Sequence, residues 1–280
     1  MNRIDGKVCV VTGGSQGLGA AISRLFAKAG AHGLMICARS KAKGQEMAAK
    51  ITQDTGVRTV FVQADLGKVE ECRKVIAAAD TEFGRLDVLV NAAALTDRGG
   101  LLDSSPELFD QMMQVNLRAP FFLMQDAAKL MIRDGIEGSM INIGSVSQYG
   151  GQPFITPYCA SKAGLASLTR NAAFSLLRNR IRVNQLDIGW MSSDHERELQ
   201  IAESGDPDWE EKARASLPFG RLLDPEEVAR TVLFLASDDS GMMTGTTTPM
   251  DQSVQGSFAA GTPQPSRALT LDDVNQPAKL

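Results

Sequence analysis

A tyrosine and a lysine stand four positions apart in this sequence, Tyr158 and Lys162, and one turn of a helix would place them on the same face. An ammonium group beside a phenol can lower the phenol's pKa from its usual value of about 10, so that the phenol exchanges a proton near neutral pH. Ser145 ends a predicted strand upstream, where its hydroxyl could polarise a substrate carbonyl. These three residues predict a proton-transfer site for an alcohol or a carbonyl.

A glycine-rich turn at residues 12–19, which reads Thr-Gly-Gly-Ser-Gln-Gly-Leu-Gly, follows the first predicted strand and leads directly into a helical pattern. Glycines allow a sharp turn and a close approach of the backbone to a ligand, and a helix N-terminus offers unpaired N–H groups to a pyrophosphate. Glycines also occur in strand-to-helix turns that bind nothing. The position of this cluster at the first such turn of the chain nevertheless favours a dinucleotide-binding site.

The residues that follow the second predicted strand distinguish the two nicotinamide dinucleotides. A carboxylate there would accept hydrogen bonds from the ribose 2′-hydroxyl of NAD, whereas this sequence has Arg39 and Ser40. A guanidinium group suits the 2′-phosphate of NADP, so NADP(H) is favoured, and NAD(H) is possible if Arg39 stacks on adenine or faces solvent. Asp65, after the third strand, either accepts a hydrogen bond from the adenine amino group or is an ordinary helix cap.

These residues require a frame of alternating strands and helices. Short runs rich in Val, Ile and Leu predict buried strands, and longer stretches with helical periodicity lie between them. The strands are predicted at residues 8–11, 34–37, 57–62, 86–90, 140–143, 181–186 and 246–250, and the main helices at 20–29, 42–52, 68–83, 117–132, 160–177 and 225–236. A repeated strand–helix order with right-handed crossovers predicts an α/β fold, a single-domain, Rossmann-type doubly wound parallel sheet.

The regular order stops after about residue 187. Residues 188–220 contain both tryptophans of the chain, a charged stretch and two prolines. An excursion after the sixth strand lies over the carboxyl ends of the strands, so we interpret it as a substrate lid, with a plain surface insertion as the alternative. The catalytic domain is predicted to span residues 1–255. Residues 256–280, rich in Gly, Pro, Ser and Asp, are predicted to form a flexible or partner-wrapping tail.

The composition excludes several classes of protein. Hydrophobic residues make up 43% and charged residues 22% of the 280 positions, which is typical of a globular chain rather than a disordered or fibrous one. A net charge of −4 argues against nucleic acid as a partner, and no apolar stretch approaches the length of a membrane span. The four cysteines lack the spacing of a disulfide framework or a metal site, so no metal is expected and a cytoplasmic location is expected.

Taken together, these motifs resemble those of the short-chain dehydrogenases/reductases, in the branch of single-domain enzymes of roughly 250 residues. The likeness rests on the glycine turn, on Asn91 with the two alanines after it, on Asn116 in the next helix, on Ser145, and on Tyr158 with Lys162. All of them occur in the family's order and near its spacing. The resemblance extends over residues 6–252.

The resemblance implies a role for each of four residues. Tyr158 would be the general acid/base, and Lys162 would lower its pKa and hold the nicotinamide ribose. Ser145 would orient the substrate oxygen, and Asn116 would hold a water in a proton relay, unless its amide only satisfies backbone groups where the helix bends. Hydride would pass to or from the nicotinamide ring. The family also implies a homo-oligomer, a tetramer or a dimer, formed by the helices at 117–132 and 160–177.

Two sets of contacts follow from the motifs and the resemblance. The predicted cofactor contacts are Gly13, Ser15, Gln16, Gly17, Leu18, Gly19, Arg39, Ser40, Asp65, Leu66, Asn91, Ala92, Ala93, Tyr158, Lys162, Ile188, Gly189, Met191 and Ser193. The predicted substrate contacts are Ser145, Gln148, Tyr149, Tyr158, Trp190 and His195. The sequence departs from the family pattern at Ala93, where glycine is usual, at Ile188, where proline is usual, and at Ser193, which replaces threonine.

The leading hypothesis is an NADP(H)-dependent enzyme that interconverts an alcohol and a carbonyl. The lid mixes aromatic and polar residues, which suits a small polar substrate such as a sugar, polyol or hydroxy acid. A 3-ketoacyl-thioester reductase is the alternative within the family, although it would need a basic approach surface. A dinucleotide-binding sensor without turnover is the alternative outside catalysis, and it would be expected to lack catalytic residues that are present here.

Overall fold

The computed structural model describes residues 2–253, and it contains one parallel sheet of seven strands with helices on both faces. The strands are β1 (Val8–Thr12), β2 (Gly33–Ala38), β3 (Arg58–Gln63), β4 (Val88–Asn91), β5 (Ser139–Ser145), β6 (Arg182–Ile188) and β7 (Thr247–Met250). Their order in the sheet is β3-β2-β1-β4-β5-β6-β7. The order reverses between β1 and β4, which is the arrangement of a doubly wound sheet and confirms the predicted fold class.

Nine α-helices connect or follow the strands within the described residues. They are α1 (Gly17–Lys28), α2 (Lys41–Thr55), α3 (Val69–Phe83), α4 (Pro106–Met113), α5 (Ala119–Arg133), α6 (Thr156–Leu176), α7 (Asp194–Ser204), α8 (Trp209–Ser216) and α9 (Pro225–Ala236). A wide π turn, Gln114–Arg118, joins α4 directly to α5. A short 3₁₀ turn, Val146–Tyr149, continues the chain beyond β5.

The central strands β1, β4 and β5 are buried at every position because helices cover both faces of the sheet. In β1 all five residues are buried. Cys9 and Val11 point into the core beneath α1 and α9, whereas Val10 points to the opposite core beneath α3 and α5. This alternation gives one continuous hydrophobic layer on each face of the sheet, so the described residues form one domain.

Each predicted strand exists, and the ends of the predicted helices lie within four residues of the observed ones. Helix α4 was not predicted, because its short apolar pattern is interrupted by the π turn before α5 begins. The interval 188–220 contains α7 and α8 rather than an irregular excursion. The predicted boundary at residue 255 and the predicted tail at 256–280 lie outside the described residues.

No helix within residues 2–253 has both the length and the apolar character that a membrane span requires.

Candidate active site

The predicted catalytic residues lie at the carboxyl edge of the sheet. Ser145 is the last residue of β5 and pairs in register with Ile188, the last residue of β6. Asn91 ends β4 and pairs with Asn142 of β5. Because parallel strands end at one edge, residues that are far apart in sequence meet there, which is the usual ligand position in an open α/β sheet.

Tyr158 and Lys162 lie in the first turns of α6, and the structure brings them together on one helix face. The Lys162 ammonium nitrogen lies 5.6 Å from the centroid of the Tyr158 ring. Its side chain is only 2% exposed, and its Nζ donates a hydrogen bond to the Ile143 carbonyl oxygen at 2.7 Å. This bond fixes the ammonium group at the end of β5, beside Ser145.

The pKa of the Tyr158 phenol is raised to about 12, chiefly because the group is buried. A hydrogen bond with Ser145 acts in the opposite direction, and the charges of Glu196 and Asp187 raise the pKa further. The sequence predicted a lowered pKa for this phenol, and that prediction is wrong. Desolvation is the largest cause of the raised pKa, and the ammonium of Lys162 is hydrogen-bonded to a backbone carbonyl.

Burial also lowers the pKa of Lys162, to about 8, and the negative charge of Asp187 partly opposes this effect. Asp187 lies on β6 and is completely buried. Its Oδ1 accepts a hydrogen bond from Gln185 Nε2 at 2.6 Å, and its Oδ2 accepts one from Gln148 Nε2. Desolvation raises the pKa of the Asp187 carboxyl as well. The buried carboxyl of Asp187 therefore lies close enough to Tyr158 and Lys162 to affect the pKa of each.

Ser145 connects the strand to the loop that follows it. Its side chain is buried, and its Oγ donates to Ser147 Oγ at 3.0 Å and accepts from the Ser147 backbone N–H at 3.1 Å. These bonds hold the hydroxyl at the start of the 3₁₀ turn that carries Gln148 and Tyr149. A substrate oxygen placed between Ser145 and Tyr158 would meet two hydroxyl groups.

Asn116 lies in the π turn and is buried. Its Oδ1 accepts from the Leu95 backbone N–H at 2.8 Å, and its Nδ2 donates to the Leu95 carbonyl oxygen at 2.9 Å and to Ser161 Oγ at 3.2 Å. Both ends of the amide are thus occupied by the loop after β4 and by α6. This geometry favours the alternative that Asn116 satisfies backbone groups at a helix bend, and a water-holding role stays a prediction.

The glycine turn has the geometry of a pyrophosphate cradle. Gly13 and Gly17 adopt positive φ angles of 69° and 53°, and an added Cβ at Gly13 would lie 3.1 Å from the Ala93 Cα. Helix α1 starts after Gln16 without any side-chain cap, so its first N–H groups remain available. No atom of the described chain lies within 4 Å of the position that a Gly17 Cβ would take. This open, uncapped helix end fits a dinucleotide phosphate.

The end of β4 closes one side of this cradle. Thr12 Oγ1 accepts hydrogen bonds from the backbone N–H groups of Ala92 and Ala93, each at 3.0 Å. Asn91 Nδ2 donates to Asn142 Oδ1 at 2.8 Å. Among the described residues Asn91 Oδ1 is the one buried side-chain oxygen without a hydrogen-bond partner. An unsatisfied acceptor beside the cradle is consistent with a ligand at this position.

Of the other predicted cofactor contacts, some have side chains without a hydrogen-bond partner in the described chain, and others are already hydrogen-bonded or buried. Arg39 is exposed, and within residues 2–253 its guanidinium makes neither a hydrogen bond nor an ion pair. Ser40 occupies the N-cap position of α2 without a side-chain bond. Asp65 Oδ1 accepts from the Gly67 N–H at 3.0 Å, which supports the alternative of a local cap. Leu18 and Leu66 are buried, so only their backbone groups face outward.

The segment after β6 carries the last group of predicted contacts. Ser193 is the N-cap of α7, and its Oγ accepts from the Glu196 N–H at 3.1 Å. Met191 forms a bridge with Leu223, and Gly189 packs closely on Asp251. Trp190 is 37% exposed and stacks against Trp209 with ring centroids 5.9 Å apart. The side chain of His195 lies outside the described part of the chain.

Asp187 was not predicted as a site residue, although an acidic residue at the carboxyl end of a strand is a signal in the sequence. Glu196 was predicted only as one of several polar residues of the lid, because nothing in the sequence distinguishes it from the other charges of α7. Within residues 2–253 no cluster of three or more His, Cys, Asp or Glu residues is arranged to hold a metal ion.

Comparisons with known proteins agree over almost the whole described chain. A family model described as enoyl-(acyl carrier protein) reductase matches residues 13–254. Short chain dehydrogenase/reductase astE of Aspergillus oryzae is 35% identical over 249 residues, covering 89% of this chain and 94% of that protein. Galactitol 2-dehydrogenase of Agrobacterium fabrum is 31% identical over 257 residues, with 89% and 97% covered.

Among the solved structures that are similar in fold and in sequence is the crystal structure of L-sorbose reductase from Gluconobacter frateurii, complexed with NADPH and L-sorbose. The TM-score is 0.85 at 27% identity, and the match covers 92% of this chain and all of the other (100%).

Proposed function

The chain belongs to the short-chain dehydrogenase/reductase family, and from this membership we propose that it interconverts a small polar alcohol and its carbonyl compound with Tyr158 as the general acid/base. The membership itself makes the chain an NAD(P)-dependent oxidoreductase. The observation that carries the proposal is the position of Tyr158 between the hydroxyl of Ser145 and the ammonium of Lys162 at the sheet edge.

Ser145, Tyr158 and Lys162 have different chemical roles in the proposed reaction. A bound nicotinamide ring supplies the hydride for reduction or accepts it in oxidation. Ser145 donates a hydrogen bond to the substrate oxygen, which stabilises the negative charge that develops there. Tyr158 gives its phenolic proton to that oxygen in reduction and removes it in oxidation. Below its own pKa of about 8, Lys162 carries a positive charge near the Tyr158 ring, which favours loss of the phenolic proton in that pH range.

The raised pKa of Tyr158 gives this chemistry a pH dependence. At neutral pH the phenol holds its proton, so it is ready to protonate a substrate carbonyl oxygen. Oxidation needs the phenolate. The rate of alcohol oxidation is therefore expected to rise with pH towards the pKa of Tyr158, while the rate of carbonyl reduction falls as that pKa is passed.

We infer a preference for NADP(H) from Arg39. Its guanidinium is exposed and uncommitted in the described chain, and residues 38–40 contain no carboxylate that would repel a 2′-phosphate. The structural relative from Gluconobacter frateurii was solved with NADPH. The choice between the two cofactors follows from this one side chain.

The proposed substrate is a sugar, polyol or hydroxy acid. Galactitol 2-dehydrogenase and L-sorbose reductase act on compounds of the first two kinds, as their names say. The segment above the site supplies polar and aromatic groups, among them Gln148, Tyr149 and Trp190. Two adjacent leucines, Leu101 and Leu102, are 84% and 98% exposed in a loop whose Gly99 bridges to Ile155, just before α6. This exposed apolar pair favours the second candidate, a 3-ketoacyl-thioester reductase.

Initial rates of cofactor oxidation or reduction would test the proposal. Sugars and polyols with NADP would be compared with NAD, and ketones and β-keto thioesters would be tested with NADPH. Tyr158→Phe is the matched variant, because it removes the phenolic oxygen and keeps the ring. Turnover that survives unchanged in Tyr158→Phe would contradict the assigned proton donor, and activity restricted to thioesters would move the assignment to the second candidate.

A further inference from the structure

Glu196 lies in the first turn of α7 and is held there by two donors. Trp190 Nε1 donates to its Oε1 at 2.8 Å, and Gln200 Nε2 donates to the same oxygen at 2.9 Å. Within the described chain Oε2 accepts no hydrogen bond. The side chain is only 16% exposed. One oxygen of a fixed, largely buried carboxylate is therefore left for a ligand.

Arg98 links this carboxylate to the segment that precedes Tyr158. Its Nε donates to Glu203 at 2.8 Å, and its Nη2 lies 3.8 Å from Glu196 Oε1. The guanidinium also lies over the Phe154 ring, 5.5 Å from the centroid, and Phe154 stands four residues before Tyr158. The negative charge of Glu196 is felt by the Tyr158 phenol. Helix α7 is thus tied to the segment that leads into α6.

Gln148 supplies a second acceptor on the other side of the site. Its Nε2 donates to the buried carboxylate of Asp187, whose other oxygen is taken by Gln185 at 2.6 Å. Because the carboxylate can only accept, the amide nitrogen of Gln148 faces Asp187 and the amide oxygen, Oε1, points away from it. Within residues 2–253 its Oε1 has no hydrogen-bond partner. The amide therefore presents an acceptor, and not a donor, to a ligand.

We propose that Glu196 is the specificity-determining residue of this site, and that with Gln148 it selects an uncharged polyhydroxylated substrate over a hydroxy acid or an anionic thioester. Two acceptors receive the hydroxyl groups that flank the reacting carbon, whereas a substrate carboxylate would face the charge of Glu196. Arg98 does not offset this repulsion, because Glu203 and Glu196 already share its charge. The inference rests on the proposed function and narrows its substrate class.

The test compares Glu196→Gln with a matched control, Glu203→Gln. Both variants remove one negative charge from α7 and one partner of Arg98, but only Glu196 contacts Trp190 and influences Tyr158. Values of kcat/KM would be measured for erythritol, ribitol, sorbitol and galactitol and for the matching aldonates. In Glu196→Gln we expect the preference for polyols over aldonates to shrink about ten- to a hundredfold, because a hydrogen bond to a charged group is lost. Glu203→Gln should keep the wild-type preference.

Tryptophan fluorescence gives a readout that needs no turnover. The chain has two tryptophans, Trp190 and Trp209. The indole N–H of Trp190 donates a hydrogen bond to the Glu196 carboxylate. A polyol bound at Glu196 should change the emission of the wild type and of Glu203→Gln in the presence of NADP, but not that of Glu196→Gln. The circular dichroism spectrum and the urea unfolding curve of each variant, measured without polyol, would show that it is folded, because Glu196→Gln changes the hydrogen-bond partner of Trp190 and can alter the emission by itself.

The outcomes separate this inference from the proposed function. Turnover with an unaltered polyol preference in Glu196→Gln overturns the role of Glu196 and leaves the proposed function standing. Polyol-dependent emission that is lost in Glu196→Gln, without turnover of any alcohol, supports the selectivity and overturns the proposed function. A wild type that binds and turns over aldonates as well as polyols overturns the inference.

Discussion

Replacing Tyr149 by phenylalanine would leave Tyr158 as the single tyrosine, because the chain contains two. The ionisation of Tyr158 could then be followed directly by the ultraviolet absorbance of phenolate. Burial places its pKa at about 12, compared with about 10 for a phenol in water. At pH 10 about one protein in a hundred would carry the phenolate, against about one in two for an unperturbed tyrosine.

The causes of the raised pKa can be separated by substitution. Ser145→Ala removes the hydrogen bond that lowers the pKa of Tyr158, so the midpoint should move upward. Glu196→Gln removes a nearby negative charge, so the midpoint should move downward, by up to about one pH unit. Adding NADP, whose oxidised nicotinamide ring is positively charged, should also move it downward. Ser145→Ala should raise the pKa of Tyr158, and Glu196→Gln should lower it. The directions of these shifts test the electrostatic argument whatever the absolute pKa of Tyr158 is.

The titration is interpretable only while the protein stays folded, and the emission of Trp190 and Trp209 reports this at each pH. A variant that lacks both tyrosines provides the background. A midpoint below about 10 in the folded protein without cofactor would refute the argument. It would mean that Lys162 influences the phenol more strongly than burial does, as the sequence alone suggested.

Further predictions concern the cofactor, the catalytic step, the glycine turn and assembly. Arg39→Asp should shift the NADPH/NADH affinity ratio about ten- to a hundredfold towards NADH in fluorescence titrations; an unchanged ratio would remove Arg39 as the phosphate contact. Tyr158→Phe should reduce kcat at least about a hundredfold while cofactor affinity is kept. Gly19→Ala should lower the free energy of unfolding by about 1–3 kcal/mol in urea titrations, because its Cβ would collide with the Gly13 carbonyl. Light scattering should give two or four times 30.0 kDa, and Phe174→Glu should lower that mass, because Phe174 is 78% exposed on α6.

Features with a local sequence signal were predicted well. Buried parallel strands are largely apolar runs, so the frame of the sheet was visible at β1 and β4. The spacing of Tyr158 and Lys162 fixes their common helix face, and the structure brings both to the sheet edge near Ser145. The glycine turn needed only its position between β1 and α1.

Features that depend on distant partners were not predicted. The pKa of Tyr158 is set by desolvation and by Asp187 and Glu196, which are separated from it in sequence and meet it only in the fold. The hydrogen bonds of Asn116 to Leu95 depend on a π turn that has no clear periodicity. Helices α7 and α8 are short and polar outside, so their apolar pattern is weak.

The π turn has a consequence for how related sequences are aligned. Residues 106–133 form one continuous helical segment, and the π turn divides it into two α-helices. The π turn contains one residue more than an α-helical turn would, so the side-chain faces of α4 and α5 are out of phase with each other. Losing one residue between Gln114 and Arg118 would restore a regular helix and rotate α4 by about 100° relative to α5. Asn116 would then face away from Leu95, and the loop after β4 would lose its anchor. A one-residue gap at this point in a relative therefore signals a differently supported active-site loop, even where Ser145, Tyr158 and Lys162 are all retained.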